Sequence, residues 1–176
     1  GIEQLHERFP HIYLYGVGGN HGLGRGKDAS TRSNDDTEVY LNTALALRHM
    51  EGFQAEIETN KFYSTFPVLG HPFLLVHGHQ IRMWNRTPLY GIINAVTLWH
   101  QVIPEPFKTV LMGHFHSINL LSAVGTPVYV NGCFCDDDQY GTERGLKATA
   151  AQWLLGVHER YGVTWERRIW LKEGGA

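Results

Sequence analysis

The sequence contains few of the residues that mark secreted or membrane-spanning proteins. Only two of its 176 residues are cysteine. Cys133 and Cys135 are separated by one residue, a spacing that strains a disulfide, and no second pair completes a zinc knuckle. We therefore expect both cysteines to be reduced packing residues, as in a cytoplasmic protein. The apolar runs fall far short of the roughly 20 residues needed to span a bilayer, so no membrane contact is expected.

Charge is also sparse. Charged residues make up 18% of the sequence, and the net charge at pH 7 is −2. The molecule as a whole therefore has no basic field to attract nucleic acid, although a local basic patch stays open. Hydrophobic residues make up 43%, which is typical of a globular protein. The length predicts a single domain over residues 1–176.

Apolar periodicity and turn residues predict helices and strands that alternate along much of the chain. Helices are predicted from the opening residues to Pro10, from an N-cap at Asp35 to about residue 50, from an N-cap at Thr87 to about residue 101, and over residues 144–160. Strands are predicted over residues 12–15, 55–58, 61–68, 73–76, 109–112, 118–124, 127–131 and 163–171. In the second helix, the residues predicted to face the core are Leu41, Ala44, Leu45 and Leu47.

Three predicted strands end in histidine beside glycine. They run into Gly19-Asn20-His21-Gly22, into His77-Gly78-His79 and into Gly113-His114-Phe115-His116. Neutral imidazole is the commonest protein ligand for transition metals, and an amide oxygen is a good donor beside it. We expect Gly113 to allow a sharp turn of the backbone where a larger residue would clash. The pattern predicts one metal site assembled at the ends of strands.

The sequence from Tyr13 to Asn131 resembles the calcineurin-like metallophosphoesterases, because it contains these three motifs in the order found in that family. The resemblance implies an α+β fold, a four-layer α/β/β/α sandwich with two divalent metal ions at the strand ends. It also implies hydrolysis of phosphomonoesters or phosphodiesters by a metal-activated hydroxide, with nucleic acid as one candidate substrate. Mn²⁺ is the first candidate for the metals, and Zn²⁺, Fe and Mg²⁺ are alternatives.

The resemblance assigns a role to each matching residue. The implied metal ligands are Asn20, His77 and His114 for the second metal and His116 for the first. His21 would lie over the phosphate and protonate or stabilise the leaving oxygen. His79 stays open between two roles, since it could replace His77 as a ligand or lie behind the ligands.

Two further segments could contact a substrate. Arg25 and Lys27 follow His21 in a glycine-rich loop and could hold a phosphate by charge-assisted hydrogen bonds, although an ordinary solvated loop fits equally well. The loop over residues 82–86 contains Trp84, which could stack on a base or cover the edge of the core.

Two motifs of the family are missing. Members of the family have an earlier Asp-x-His and a Gly-Asp-x-x-Asp, which supply the remaining ligands of the two metals. Neither motif occurs in this sequence. We therefore expect the chain to be the C-terminal part of a longer protein. The alternative is a non-catalytic or single-metal module that keeps the fold. A metallo-β-lactamase pattern fits less well, because Ser117-Ile118-Asn119 stands where that pattern needs Asp-His.

Overall fold

The computed structural model describes residues 1–22, 34–83, 87–134 and 150–171. The chain forms two compact units, residues 1–64 and 65–176. Its few helices and its strands, including a mixed sheet, confirm the predicted α+β class. The four-layer stacking and the single-domain organisation stay predictions.

The first unit is built around two parallel strands and a helix. Its elements are α1 (Ile2–His6), β1 (Ile12–Val17), α2 (Asp35–Leu47) and β2 (Phe53–Glu58). β1 pairs with β2 so that Ile12 lies opposite Phe53 and Val17 opposite Glu58. α2 contacts both strands, which gives a strand–helix–strand arrangement. The loop after β1 therefore begins at the carboxyl end of a paired strand.

The remaining elements are β3 (Tyr63–Val68), β4 (His71–Val76), α3 (Leu89–Val102), β5 (Thr109–Met112), β6 (Asn119–Ala123), β7 (Thr126–Val130), β8 (Ala151–His158) and β9 (Gly162–Trp170). A five-stranded sheet has the order β3-β4-β5-β7-β6. β4, β5 and β7 are parallel, and β6 is antiparallel to β7. β8 and β9 form a separate antiparallel pair.

The central strands of the five-stranded sheet form the core of the second unit. Leu74, Val110 and Val128 have no exposed side-chain surface, and Ile92 and Val96 of α3 are equally buried. Near-continuous apolar sequence of this kind is typical of parallel strands that are covered on both faces. Each such side chain contributes about 1.5–3 kcal/mol by burial. The histidine loops therefore start from a tightly packed platform.

Two-residue turns join the outer strands of this sheet. Leu69 (φ 48°) and Gly70 (φ 81°) connect β3 to β4, and Val124 (φ 52°) and Gly125 (φ 80°) connect β6 to β7. Positive φ at both central residues is the geometry that matches the twist of a hairpin. The second hairpin confirms the predicted pairing of residues 118–124 with 127–131.

The predicted last helix is wrong where the structure describes it. Residues 151–158 form β8, which pairs along its whole length with β9, and residues 144–149 lie outside the described part. The main-chain N–H of Trp153 donates to Asn131 Oδ1 (2.9 Å), and its indole donates to Val130 O (2.9 Å). These tertiary bonds and the pairing with β9 outweigh the helical propensity of the segment.

Two predicted helix starts are off by one residue. The N-cap of α2 is Asn34, whose Oδ1 accepts from the N–H groups of Asp36 and Thr37, and not Asp35. α3 begins at Leu89 with Pro88 at the N-cap, and not with Thr87 there. A capping side chain must lie in an extended residue just before the first turn, and several neighbouring polar residues satisfy that pattern in sequence.

Two further predictions concern burial and thiols. Leu41 and Leu45 are 46% and 57% exposed, so their predicted core position is wrong. Cys133 is buried, as predicted for a packing residue, and Cys135 lies outside the described residues. In the described part of the chain, no helix is both long enough and apolar enough to cross a membrane. The cytoplasmic location stays a prediction.

Candidate metal centre

The parallel register of β4 and β5 brings two of the predicted ligands to one edge of the sheet. Val76 lies opposite Met112 at the ends of these strands. The next residues continue the contact, because the N–H of Gly113 donates to His77 O (3.1 Å). Since the carboxyl ends of parallel strands meet at the same edge, the loops that carry His77 and His114 leave the sheet side by side.

Three histidines form an imidazole cluster at this edge: His77, His79 and His114. His114 Nδ1 and His77 Nε2 are 3.3 Å apart. The ring centroids are 5.1 Å apart for His77 and His114, 5.5 Å for His77 and His79, and 6.4 Å for His79 and His114. All three side chains are partly buried. The second unit alone therefore gathers three candidate nitrogen ligands.

The backbone around the cluster is strained at the histidines themselves. His114 (φ 69°) and His116 (φ 55°) lie in the left-handed region, which costs a non-glycine residue about 1–2 kcal/mol. Gly78 has φ 108°. The predicted role of Gly113 is wrong, because its φ is not positive and an added Cβ would lie 3.6 Å from His77 O, an ordinary contact. Gly78 and His114 make the turns instead.

His79 is the least satisfied member of the cluster. Its Nδ1 is buried and has no hydrogen-bond partner among the described residues. Burial lowers the pKa of the His79 imidazole below its usual value, because desolvation disfavours the charged form. Burial therefore favours the neutral ring, which is the form that binds a metal.

For the other candidate residues of the second unit and for the predicted substrate loops, the structure gives exposure at most. His116 is exposed and lies two residues beyond His114. Arg82 is exposed, whereas Trp84 lies outside the described residues. Arg25 and Lys27 also lie outside them. Their predicted roles stay predictions.

The loop that carries Asn20 and His21 belongs to the first unit and is fastened to the start of α2. Gly19 N–H donates to Asp36 Oδ2 (3.0 Å), and Asn34 Nδ2 donates to Gly19 O (2.7 Å). Asp35 N–H donates to Gly22 O (2.9 Å). In the loop, Asn20 is partly buried and His21 is exposed. Their roles as ligand and as proton donor stay predictions.

Asn34 is the residue of this loop that sequence reasoning missed. It is 3% exposed and bonds both the loop and the helix. A side chain at Gly22 would collide with it, so glycine is required there by close approach. The asparagine before an acidic first turn was the signal available in the sequence, since asparagine is a preferred N-cap.

The donor set of the imidazole cluster fits a divalent transition metal in part. Two imidazole nitrogens on one tetrahedral zinc ion lie about 3.3–3.4 Å apart, because each Zn–N bond is about 2.0–2.1 Å long. The separation between His77 Nε2 and His114 Nδ1, 3.3 Å, matches this value. Within the described ranges, however, no three or more His, Cys, Asp or Glu side chains are already grouped to hold an ion. The pair fits as it stands, and a third protein ligand has to move or come from elsewhere.

Comparison with known proteins gives structural likeness only. No protein-family model and no curated protein matches the sequence. Among solved structures, Vps29 from Entamoeba histolytica complexed with Zn²⁺ is 13% identical, with 97% of this chain and 89% of that chain covered and a TM-score of 0.48. A predicted phosphoesterase from Streptococcus pneumoniae is 9% identical, with 96% and 88% covered and a TM-score of 0.43. Likeness at this level sets no activity, metal or partner for this chain.

Proposed function

We propose that this chain is a metal-dependent phosphoesterase domain that hydrolyses phosphomonoesters or phosphodiesters. The observation that carries the proposal is the 3.3 Å approach of His77 Nε2 to His114 Nδ1 at the shared edge of two parallel strands. Two imidazoles at that separation suit one divalent metal. The three strand-end motifs, in family order, support the phosphoester chemistry.

The residues divide the work as follows. His77 and His114 would hold one metal, and His116 would contribute to the other. When bound, two such metals supply an acidified water and neutralise charge on the phosphoryl oxygens. His21, exposed in the loop after β1, would donate a proton to the leaving oxygen. Arg25 and Lys27 orient the phosphate by charge-assisted hydrogen bonds.

The proposal is tested by hydrolysis of a chromogenic phosphodiester and of the matching monoester with Mn²⁺. We expect His114→Ala to abolish turnover and His21→Ala to lower it about 100-fold or more, with both variants folded. His158→Ala is the matched control, because His158 lies at the end of β8, accepts a hydrogen bond from Arg160 N–H and contacts the Tyr161 ring. Near-normal turnover by His114→Ala would remove the proposed function. The ratio of the two substrates separates a diesterase from a monoesterase.

A single-metal or non-catalytic module is the second candidate. The observation that favours it is that the described contacts gather one imidazole cluster, in one unit. Metal analysis of the purified chain separates the candidates. Two ions per chain with turnover support the two-metal phosphoesterase, one ion with turnover supports a single-metal hydrolase, and one ion without turnover supports a binding module.

A further inference from the structure

We propose that the outward face of the β8–β9 hairpin binds single-stranded nucleic acid, with Trp165 stacking on a base and Arg167 holding a phosphate. This surface goes beyond the proposed function, because it contains none of the clustered histidines and needs no metal. Single-stranded DNA and RNA share the chemistry that the surface recognises, since both carry flat bases on an anionic backbone.

The register of β8 and β9 divides the hairpin into two faces. Directly opposed residues of an antiparallel pair lie on the same face, and successive residues alternate between faces. Trp153 lies opposite Arg168, whose guanidinium carbon is 5.5 Å from the centre of the Trp153 ring. The Trp153 ring also contacts Tyr129 of β7, with ring centroids 5.6 Å apart, and its indole donates to Val130 O. This face therefore packs on the five-stranded sheet.

The opposite face of the hairpin points outward and is mostly apolar. Within residues 152–156 and 165–169, its members are Gln152, Leu154, Gly156, Trp165, Arg167 and Ile169. The exposed fraction is 46% for Leu154, 51% for Trp165 and 36% for Ile169. Large apolar side chains that are exposed side by side indicate a contact surface.

Trp165 forms a flat platform on this face. Gly156 lies opposite it, and a Cβ added at Gly156 would overlap Cε2 and Nε1 of the Trp165 indole. The ring therefore rests on the glycine, while half of the side chain stays exposed. An indole that is supported below and open above suits a planar group. Stacking on such a ring tolerates any base, because every base has a π face.

The charge of this face selects the occupant. Arg167 is exposed and is the only charged residue of the outward face within residues 152–156 and 165–169. It follows Trp165 by two residues, or about 7 Å along the strand, a span that one nucleotide covers. Its guanidinium can form two charge-assisted hydrogen bonds to a phosphate.

A second copy of this chain suits the outward face less well. Over the same two ranges the face offers no carboxylate to pair with Arg167 of another copy. Self-association would therefore bury two guanidinium groups without a counter-charge from this face, which is costly.

The test is fluorescence anisotropy of a labelled oligothymidylate, and of the matching oligouridylate, titrated with the chain in EDTA. We expect Trp165→Leu to lower the affinity about 10-fold or more, whereas Trp165→Phe, which keeps a ring, should stay within about threefold of wild type. Arg167→Gln should weaken binding and reduce the slope of log affinity against log salt concentration by about 0.7. The two oligonucleotides separate DNA from RNA as the preferred strand.

The other face of β9 supplies matched controls. Trp170 is 54% exposed, and Trp170 and Arg168 alternate with the outward residues, so they lie on the opposite face. Trp170→Leu and Arg168→Gln should bind both oligonucleotides as the wild type does. Circular dichroism and urea unfolding check the fold of each variant. If Trp165→Leu is unfolded, the salt slope of Arg167→Gln decides the result.

The contrary outcomes are distinct. A wild-type chain that binds neither oligonucleotide at low salt would overturn the inference, and so would equal losses in Trp165→Leu and Trp170→Leu. Sedimentation showing self-association that Trp165→Leu abolishes, without oligonucleotide binding, would assign the face to a second copy. Because binding is measured without metal or turnover, its failure leaves the proposed hydrolysis standing, and failure of the hydrolysis assay leaves this surface standing.

Discussion

At the scale of single residues, the cluster depends on a few positions where backbone conformation and side-chain chemistry are linked. His114 accepts a left-handed conformation that most residues avoid, and histidine is among the side chains found there more often than average. Strain of this kind persists only where the surrounding structure holds it in place. Here the histidines directly follow the buried strands β4 and β5, which provide that support.

Gly78 and Gly113 make a matched pair for testing this description. Gly78→Ala should lower the free energy of unfolding by about 1–3 kcal/mol, because φ is 108° and the new Cβ meets Met112 and His114. Gly113→Ala should change it by less than about 0.5 kcal/mol, because the added methyl has room. Urea unfolding without metal measures both. Equal losses would contradict the placement of the turn at Gly78.

Tyr40 gives a prediction for the pH dependence of stability. Burial, and then the negative charge of Asp36, raise the pKa of the Tyr40 phenol above its usual value near 10. The unfolded chain therefore releases this proton first, and stability that is complete below pH 10 is lost as the pH rises towards the folded-state pKa.

The Tyr40→Phe variant isolates this effect from the other tyrosines. It cannot ionise at this position, so its free energy of unfolding should fall less steeply above pH 10 than that of wild type. Urea unfolding between pH 8 and about 11 compares the two chains. Identical slopes would mean that Tyr40 ionises equally in the folded and unfolded states.

At the scale of elements, the start of α2 both ends a loop and begins a helix. Asn34 accepts from two N–H groups of the first turn and donates to Gly19 O, so one side chain caps the helix and fixes the loop that carries Asn20 and His21. Because the same side chain caps α2 and holds the loop, the local stability of α2 affects the positions of Asn20 and His21.

Asn34→Ala should therefore cost more than an ordinary surface change. We expect the free energy of unfolding to fall by about 1–3 kcal/mol, since a cap is lost and buried groups are left unpaired. Asp35→Ala is the control, and it should cost at most about 1 kcal/mol through weaker interaction with the helix dipole. Hydrogen exchange of residues 18–22 should increase in the Asn34 variant only. A larger effect of Asp35→Ala would return the N-cap to Asp35.

At the scale of the whole molecule, the sequence predicted the parts of the structure that follow from local pattern. The apolar strands that end in histidine, and the hairpin of β6 and β7, depend on periodicity and on glycine turns that are visible along the chain. β8 could not be predicted in the same way, because residues 151–158 are set by pairing with β9 and by bonds from Trp153 to Asn131 and Val130. The bonds from Trp153 reach 22 and 23 residues back along the chain, and contacts at that separation leave no mark on local propensity.

The same distinction, between what local pattern reveals and what only the fold reveals, applies to the candidate site. The sequence indicated His77 and His114 because each follows a strand, and the parallel register then places them together. It left His79 open, because only the folded turn shows the ring beside His77, with a buried nitrogen that has no hydrogen-bond partner in the described part of the chain. It assigned the turn to Gly113, since a glycine in sequence does not reveal which residue takes the positive φ.

The most direct measurement is anomalous X-ray diffraction from crystals of the chain soaked in Zn²⁺. Convergence of imidazoles at the ends of β4 and β5 predicts a strong peak about 2.0–2.1 Å from both His77 Nε2 and His114 Nδ1. A difference map with peaks only elsewhere, and none between these two nitrogens, would contradict a metal centre at this edge of the sheet.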